Sequence, residues 1–195
     1  MKKGRIEAFS DGVIAIIITI MVLELKVPHA SDFASLLKLW PVFLSYVLSF
    51  IYVGIYWNNH HHMFMVVNKI NGTVLWANLH LLFWLSMIPF ATAWMGENHF
   101  APLPTALYGF VLLMNGIAYS ILTTVLIKHH GHESILSKAV GNGFKGKVSC
   151  ISYLIAIPSA FLNVWMSAAI YIGIALLWLI PDKRIERIIT EEENI

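Results

Sequence analysis

The sequence predicts an all-α membrane protein with six transmembrane helices. Three observations carry that reading: long apolar runs recur along the chain, charge is scarce, and the basic residues sort to one side once the runs are counted. Hydrophobic residues make up 58% of the 195-residue chain and charged residues only 12%. An ordinary soluble domain carries about 25% charged residues. Mean hydropathy is +0.71. The formal net charge of +2 implies no nucleic-acid partner. The single cysteine, Cys150, has no intrachain partner for a disulfide.

A span needs about 20 mostly apolar residues, with about 17 as a practical minimum. The first runs over 9–25 and stops at Lys26-Val27-Pro28. The second runs over 39–57 and continues as helix beyond the membrane through His60-His61-His62-Met63-Phe64. The third covers 73–95 and the fourth 103–127. After a polar loop over 128–147, the chain is apolar for 33 residues, 148–180. At 1.5 Å per residue that is about 50 Å, too long for one comfortable span and enough for two short ones. The fifth span is expected over 148–162 and the sixth over 164–180, with Pro158, Ser159 and Asn163 marking the reversal. Pro158 alternatively kinks the fifth helix. The chain reads as one six-span domain, 1–195, ending in a solvated helix end at Glu191-Glu192-Glu193.

Charge placement tests the count. Six spans put Lys2, Lys3, Arg5, Lys69, Lys128, Lys138, Lys145, Lys147, Lys183, Arg184 and Arg187 on one side, and only Lys26 and Lys38 on the other, out of 13 basic residues. The positive-inside rule then places both termini in the cytoplasm of a multi-pass protein in the cell membrane. Five spans would strand Lys183, Arg184 and Arg187 outside. A cleaved signal peptide is rejected: the first apolar run is too long, begins at Asp11, and meets Pro28-His29-Ala30-Ser31 where a small-residue cleavage site is needed.

The chemistry concentrates where the first span begins, at Arg5-Ile6-Glu7-Ala8-Phe9-Ser10-Asp11. A carboxylate in or near hydrocarbon costs about 2.5–3.5 kcal/mol on insertion scales. Several readings stay open on the residues alone. Ser10 and Asp11 can satisfy the helix N-terminus and bond to neighbouring helices while Arg5 snorkels to headgroups. Ile16, Ile20 and Leu23 share one face at i, i+4, i+7 with Thr19 beside them, a possible pore lining. That same face can equally pack against lipid, because the span is apolar all round. A Ser–His–Asp hydrolase is excluded, since adjacent residues diverge by about 100° on a helix and no Gly-x-Ser-x-Gly turn exists.

Arg5-x-x-x-Phe9-Ser10-Asp11, followed by Gly-Val-Ile-Ala-Ile-Ile-Ile-Thr-Ile and Leu25-Lys26-Val27-Pro28, resembles the signature of bacterial members of the endosomal/lysosomal potassium channel family, transmembrane protein 175. Tyr56-Trp57-x-x-His60-His61-x-x-Phe64 is similar to the family's second-helix stretch. Asn78-Leu79, Trp84 and Ser86-Met-Ile-Pro89-Phe90 extend the likeness to the third. The resemblance implies a cation channel with six helices per subunit, the first lining a central pore, and single-repeat chains assembling as a homotetramer in the lipid bilayer. It implies a potassium-permeable pore with passive conduction, no cofactor and no enzyme chemistry. In place of a Thr-Val-Gly-Tyr-Gly carbonyl filter, which this sequence lacks, the family has an apolar constriction that maps onto Ile16, Ile20 and Leu23 as a hydrophobic gate. Thr19 maps onto an ion-contacting layer. A narrow isoleucine ring offers no ligand and dewets until it widens. Arg5, Phe9, Ser10 and Asp11 fall in the structural motif, with His60, His61, Asn78 and Trp84 as the interhelical partners expected for Ser10 and Asp11. An imidazole is the expected proton donor to Asp11.

The remaining polar clusters have plainer readings. His60-His61-His62 and His129-His130-Gly131-His132 cannot each set three imidazoles around one ion, because consecutive side chains on a helix diverge. No metal site is assigned, and His80 reads as a packing residue. Glu24 lies near the outer end of the first helix, where a carboxylate ring concentrates cations or a pair with Lys26 forms. Trp40, Trp57, Trp94 and Trp178 fall near span ends, as interfacial anchors do. The alternatives are a proton-conducting or weakly selective cation channel of the same fold or, from a different class, a secondary transporter or a metal- or haem-binding membrane redox protein. Histidines in loops argue against redox, and the absence of inverted repeats argues against transport.

Overall fold

A computed structural model describes residues 3–67, 69–131, 133–140 and 143–179. The expectations placed on Lys2, His132, Lys183, Arg184, Arg187 and Glu191-Glu192-Glu193 lie outside the described residues. Within them the chain is helical, as backbone polar groups at membrane depth require when only intrahelical bonds can satisfy them. The helices are α1 Lys3–Leu23, α2 Phe33–Leu37, α3 Trp40–Met65, α4 Gly72–Ser86, α5 Ile88–Glu97, α6 Pro102–His130, α7 Ile135–Val140, α8 Phe144–Ser159 and α9 Val164–Leu179. Four stretches, 3–23, 40–65, 72–97 and 102–130, are long and apolar enough to cross a bilayer. The molecule is an all-α, multi-pass membrane protein.

The helices stack around α6, which packs on α4, α5, α8 and α9, while α3 bridges α1, α5 and α9. Helix α1 lies at the side of this bundle on α3, α4 and α5. Four fully buried tyrosines, Tyr52, Tyr108, Tyr153 and Tyr171, fill the centre. Their hydroxyls are all paired, as burial demands: Tyr153 donates to the Tyr52 hydroxyl at 3.2 Å, Tyr52 to the Tyr171 carbonyl at 2.6 Å, and Tyr171 to the Thr105 carbonyl at 3.1 Å. Tyr108 meets Ser49 Oγ at 3.0 Å, and Thr92 donates to that same oxygen at 2.6 Å. Gly109 makes room for this core, since a β-carbon there would run into the Tyr171 hydroxyl.

Three features differ from the expected spans. The third is broken at Met87 into α4 and α5, because Pro89 sits at the start of α5 without an N–H to continue the ladder. Asn115 of α6 donates at 3.1 Å to the Trp84 carbonyl beside the break, which also accepts from Met87 N at 3.2 Å. The fifth helix begins four residues before the expected Val148 and ends at Ser159. Pro158 therefore sits in its last turn, and the reversal falls over 160–163, where Asn163 Oδ1 accepts from Trp165 N at 2.9 Å. Finally, the expected loops hold two short helices, α2 and α7. Asp32 caps α2 by accepting from Ser35 N at 2.6 Å, and Phe33, Leu36 and Leu37 on it are exposed.

The turn joining α5 to α6 carries positive φ at His99 (51°) and Phe100 (58°), backbone that non-glycine residues rarely adopt. Phe100 is held there between Trp40 and Trp165, with ring centroids 6.0 and 5.9 Å away.

Candidate functional site

Helix α1 has two distinct faces. Ile6, Ser10, Ile14, Ile17 and Met21 are buried against the bundle, at spacings of three and four. The other face is open. Ile16 is 57%, Ile20 42% and Leu23 78% exposed, and Phe9 lies on the same stripe at 54%. Thr19 stands among them, and its hydroxyl donates to the Ile16 carbonyl at 2.9 Å. That bond uses the only hydroxyl hydrogen, so the oxygen presents lone pairs outward. Arg5 and Gly12 are exposed as well, and a β-carbon at Gly12 would meet nothing within 4 Å.

The buried face is fixed by a directed hydrogen-bond chain through three helices. Ser10 donates to the Ile6 carbonyl at 2.8 Å, Asn78 Nδ2 of α4 donates to Ser10 Oγ at 2.9 Å, and His60 Nε2 of α3 lies 2.8 Å from Asn78 Oδ1. With the Asn78 amide nitrogen committed to Ser10, its oxygen faces His60, and this network assigns the proton to His60 Nε2. Ser10, Asn78 and His60 are each at most 1% exposed. His60 also stacks on Phe64, with centroids 4.5 Å apart.

Asp11 takes a different partner from the one expected. The carboxylate accepts from the Trp57 indole nitrogen at 3.1 Å, with no imidazole or Asn78 on it among the described residues. Adjacent positions on a helix diverge by about 100°, so Ser10 enters the interface with α4 while Asp11 turns to the exposed edge beside α3. His61 stacks on the Trp57 ring at 6.0 Å, behind the donor. Trp84 joins neither residue: its indole donates to His80 Nε2 one turn earlier, at 3.0 Å. Trp57, read from sequence as an interfacial anchor, is thus a partner of the first helix. Its i, i+3, i+4 spacing with His60 and His61 was the available signal.

At the opposite end of α1, Lys26 Nζ meets Glu97 Oε1 at 2.6 Å, joining the chain just after α1 to the last residue of α5. Their hydrogen bond raises the Lys26 pKa above its ordinary 10.5. The pair leaves Glu24 without Lys26 as its ion-pair partner. Among the described residues no group of three His, Cys, Asp or Glu side chains is placed to hold a metal ion. The triplet fans out as helical geometry requires, with His60 on Asn78, His61 on Trp57, and His62 Nδ1 buried without a partner.

The fold matches the crystal structure of a lysosomal potassium-selective channel TMEM175 homolog from Chamaesiphon minutus, with a TM-score of 0.79 and 30% identity over 92% of this chain and 97% of that one. Together with the all-helical bundle, this defines the class as a multi-pass membrane channel that conducts passively, and not an enzyme. A potassium channel of Chryseobacterium sp. (strain P1-3) is 57% identical over 98% of this chain and 100% of its own length. The family model for the endosomal/lysosomal potassium channel TMEM175 matches residues 5–89. The chain belongs to the TMEM175 family. Part of it is also similar to the human endosomal/lysosomal proton channel TMEM175, 35% identical over 47% of this chain and 20% of that protein.

Proposed function

We propose that four copies of this chain surround a central axis in the cell membrane and form a potassium-permeable channel, with α1 of each subunit lining the pore. The observation that carries this reading is the open face of α1. Its buried residues tie it to its own subunit, while Ile16, Ile20 and Leu23 face outward with the Thr19 oxygen. Polar and charged groups on that exposed helix, Arg5, Asp11 and Thr19, are costly against hydrocarbon and acceptable beside a water-filled vestibule. Three rings of four branched side chains would form the hydrophobic gate, and the threonine ring would supply hydroxyl oxygens to a partly dehydrated cation.

In this reading the chain is one domain with six spans, both termini are cytoplasmic, and all the basic residues but Lys26 and Lys38 keep to that side. Helix α8, 16 residues, is about 24 Å long. It crosses by local thinning of the bilayer, packed on α6 and α9. The permeant ion is a substrate of the pore and no cofactor is needed. The relatives named as potassium channels favour potassium. The relative named as a proton channel supports the second reading, a proton-conducting or weakly selective pore of the same architecture.

Purified protein in planar bilayers, under opposed potassium and sodium gradients and then under a pH gradient, tests this. A current that reverses near the potassium equilibrium potential is the expected result. Reversal that tracks pH alone transfers the assignment to protons. Transport without current, or current unaffected by substitutions at Ile16 and Leu23, overturns the pore assignment.

A further inference from the structure

Past Met21 the first helix loses its hold on the bundle. Met21 is the last buried residue of α1, and no residue from Val22 to Trp40 is buried. The helix closes with Leu25 N donating to the Val22 carbonyl at 3.1 Å and Lys26 N to the Glu24 carbonyl at 3.0 Å. This loosely held stretch includes Leu23, the outermost of the side chains assigned to the gate. It is tied back to its own subunit by the Lys26–Glu97 pair at 2.6 Å, a bond across 71 residues of sequence. The pairs Lys3–Glu7 and Lys138–Glu133, by contrast, join near neighbours along the chain.

Glu97 stands on a braced part of the fold. The residue before it, Gly96, lets the last turn of α5 press on α3: a β-carbon there would come within 2.8 Å of Val42 Cα, which is backbone and cannot swing aside. After Glu97 the chain turns sharply, with Phe100 N donating to the Met95 carbonyl at 3.0 Å and His99 N to the Gly96 carbonyl at 3.1 Å. The positive φ angles of His99 and Phe100 are strained, and such backbone persists only where its surroundings hold it. Here the hold is the Phe100 ring between Trp40 of α3 and Trp165 of α9. One partner of the ion pair is therefore fixed to three helices, and the other sits at the free end of α1.

We propose that Lys26 and Glu97 are positioning residues for the gate, their ion pair holding the outer end of α1 back on its own subunit so that the Leu23 side chains stay apart. The inference rests on the pore assignment made under Proposed function. Its direction follows from the geometry: Glu97 belongs to the bundle, whereas Leu23, 78% exposed, faces away from it. Releasing the pair lets the four Leu23 side chains close over the axis. Both partners are solvent-exposed, so each pair shifts an equilibrium only about twofold. Four subunits moving together multiply that to about 16-fold. A tie this weak can hold the gate without locking it.

Single-channel recording in planar bilayers tests the assignment, using Lys26→Met, Glu97→Gln and the charge swap Lys26→Glu with Glu97→Lys. Both single variants should lower open probability about 16-fold, and the swap should return it to within about twofold of wild type. A purely electrostatic effect at the pore mouth would act otherwise, because removing a cation and removing a carboxylate change cation entry in opposite directions. Opposite changes in the two single variants, wild-type open probability in either, or a swap no better than the single variants overturns the proposal. Hydrogen exchange over 22–27, which needs no ion flux, should be faster in Glu97→Gln than in wild type; equal rates overturn the tie itself. A wild-type protein that carries no current refutes the pore reading, whereas a conducting wild type with unaltered variants refutes the positioning role alone.

Discussion

The indole nitrogen of Trp57 donates to Asp11 Oδ1 across 3.1 Å, so the carboxylate at the start of the first helix is held by α3 one residue away from the buried serine held by α4. Two neighbouring side chains thereby anchor α1 to two different helices, and the rotation of α1 about its own axis is set at that level. Everything that faces outward further along, from Gly12 to Leu23, follows from this setting.

Trp57→Phe keeps the ring and removes the donor. Hydrogen bonds to charged groups contribute about 1.5–3 kcal/mol, and partial exposure of this one puts it near the lower end. The variant should melt a few degrees lower and show altered open probability. Wild-type melting together with wild-type currents would mean Asp11 is held by something else.

Asn78→Leu has similar volume, leaves the buried His60 Nε2 donor without a partner, and takes from the Ser10 oxygen the donor it accepts from while its bond to the Ile6 carbonyl stays. Each orphaned group costs about 1–3 kcal/mol. Ser10→Ala removes only an acceptor, leaving Asn78 Nδ2 unpaired, so Asn78→Leu should be the more destabilising of the two. Chemical denaturation of the purified protein in detergent checks the order; the reverse order would refute the directed chain from His60 to Ile6.

Ile16→Asn places an amide on the open face of α1, where wild type has a branched apolar side chain. A constriction that dewets should wet, so conductance should rise and ion preference weaken. Flux in liposomes and reversal potentials read this directly. Unchanged values would move the gate to another level of the helix.

Gly109→Ala should cost about 1–3 kcal/mol, the usual penalty of overpacking, because the new methyl group meets a tyrosine that is 1% exposed and bonded to the Thr105 carbonyl. Tyr171→Phe in the same chain removes the nearest atom it strikes and leaves the ring carbon behind it, 2.8 Å away. The double variant should therefore be more stable than additivity predicts, and a double-mutant cycle measures the difference. Strict additivity would show that the Tyr171 hydroxyl is not what limits the space.

The Lys26–Glu97 pair gives a pH dependence with a defined sign. The Lys26 pKa is raised above 10.5 by its hydrogen bond to Glu97. Its stabilising contribution is therefore complete below 10.5 and lost as pH rises through the raised value. Hydrogen exchange over 22–27 should stay constant from neutral pH to about 10 after correction for the intrinsic rate, and quicken above it. Lys26→Met should show the fast exchange already at neutral pH; wild-type exchange in that variant would mean the ion pair does not hold the end of α1.

The sequence by itself determined that the chain is a stack of apolar helices, and nearly where each lies, because about 20 apolar residues in a row have no other way to satisfy their backbone in a bilayer. It also held the motif around Ser10 and Asp11. It did not determine which side of the first helix turns inward. That helix is apolar all round from Val13 to Leu23 apart from Thr19, so periodicity carries no signal there, and only packing on α3, α4 and α5 buries Ile14 and Ile17 while leaving Ile16 and Ile20 outside. The break at Met87 shows the same division. Pro89 was visible, but the helix that packs beside the break was not: Asn115, whose amide reaches the Trp84 carbonyl there, comes from 31 residues further along the chain. Partners between helices are long-range facts, and they exist only once the helices have met.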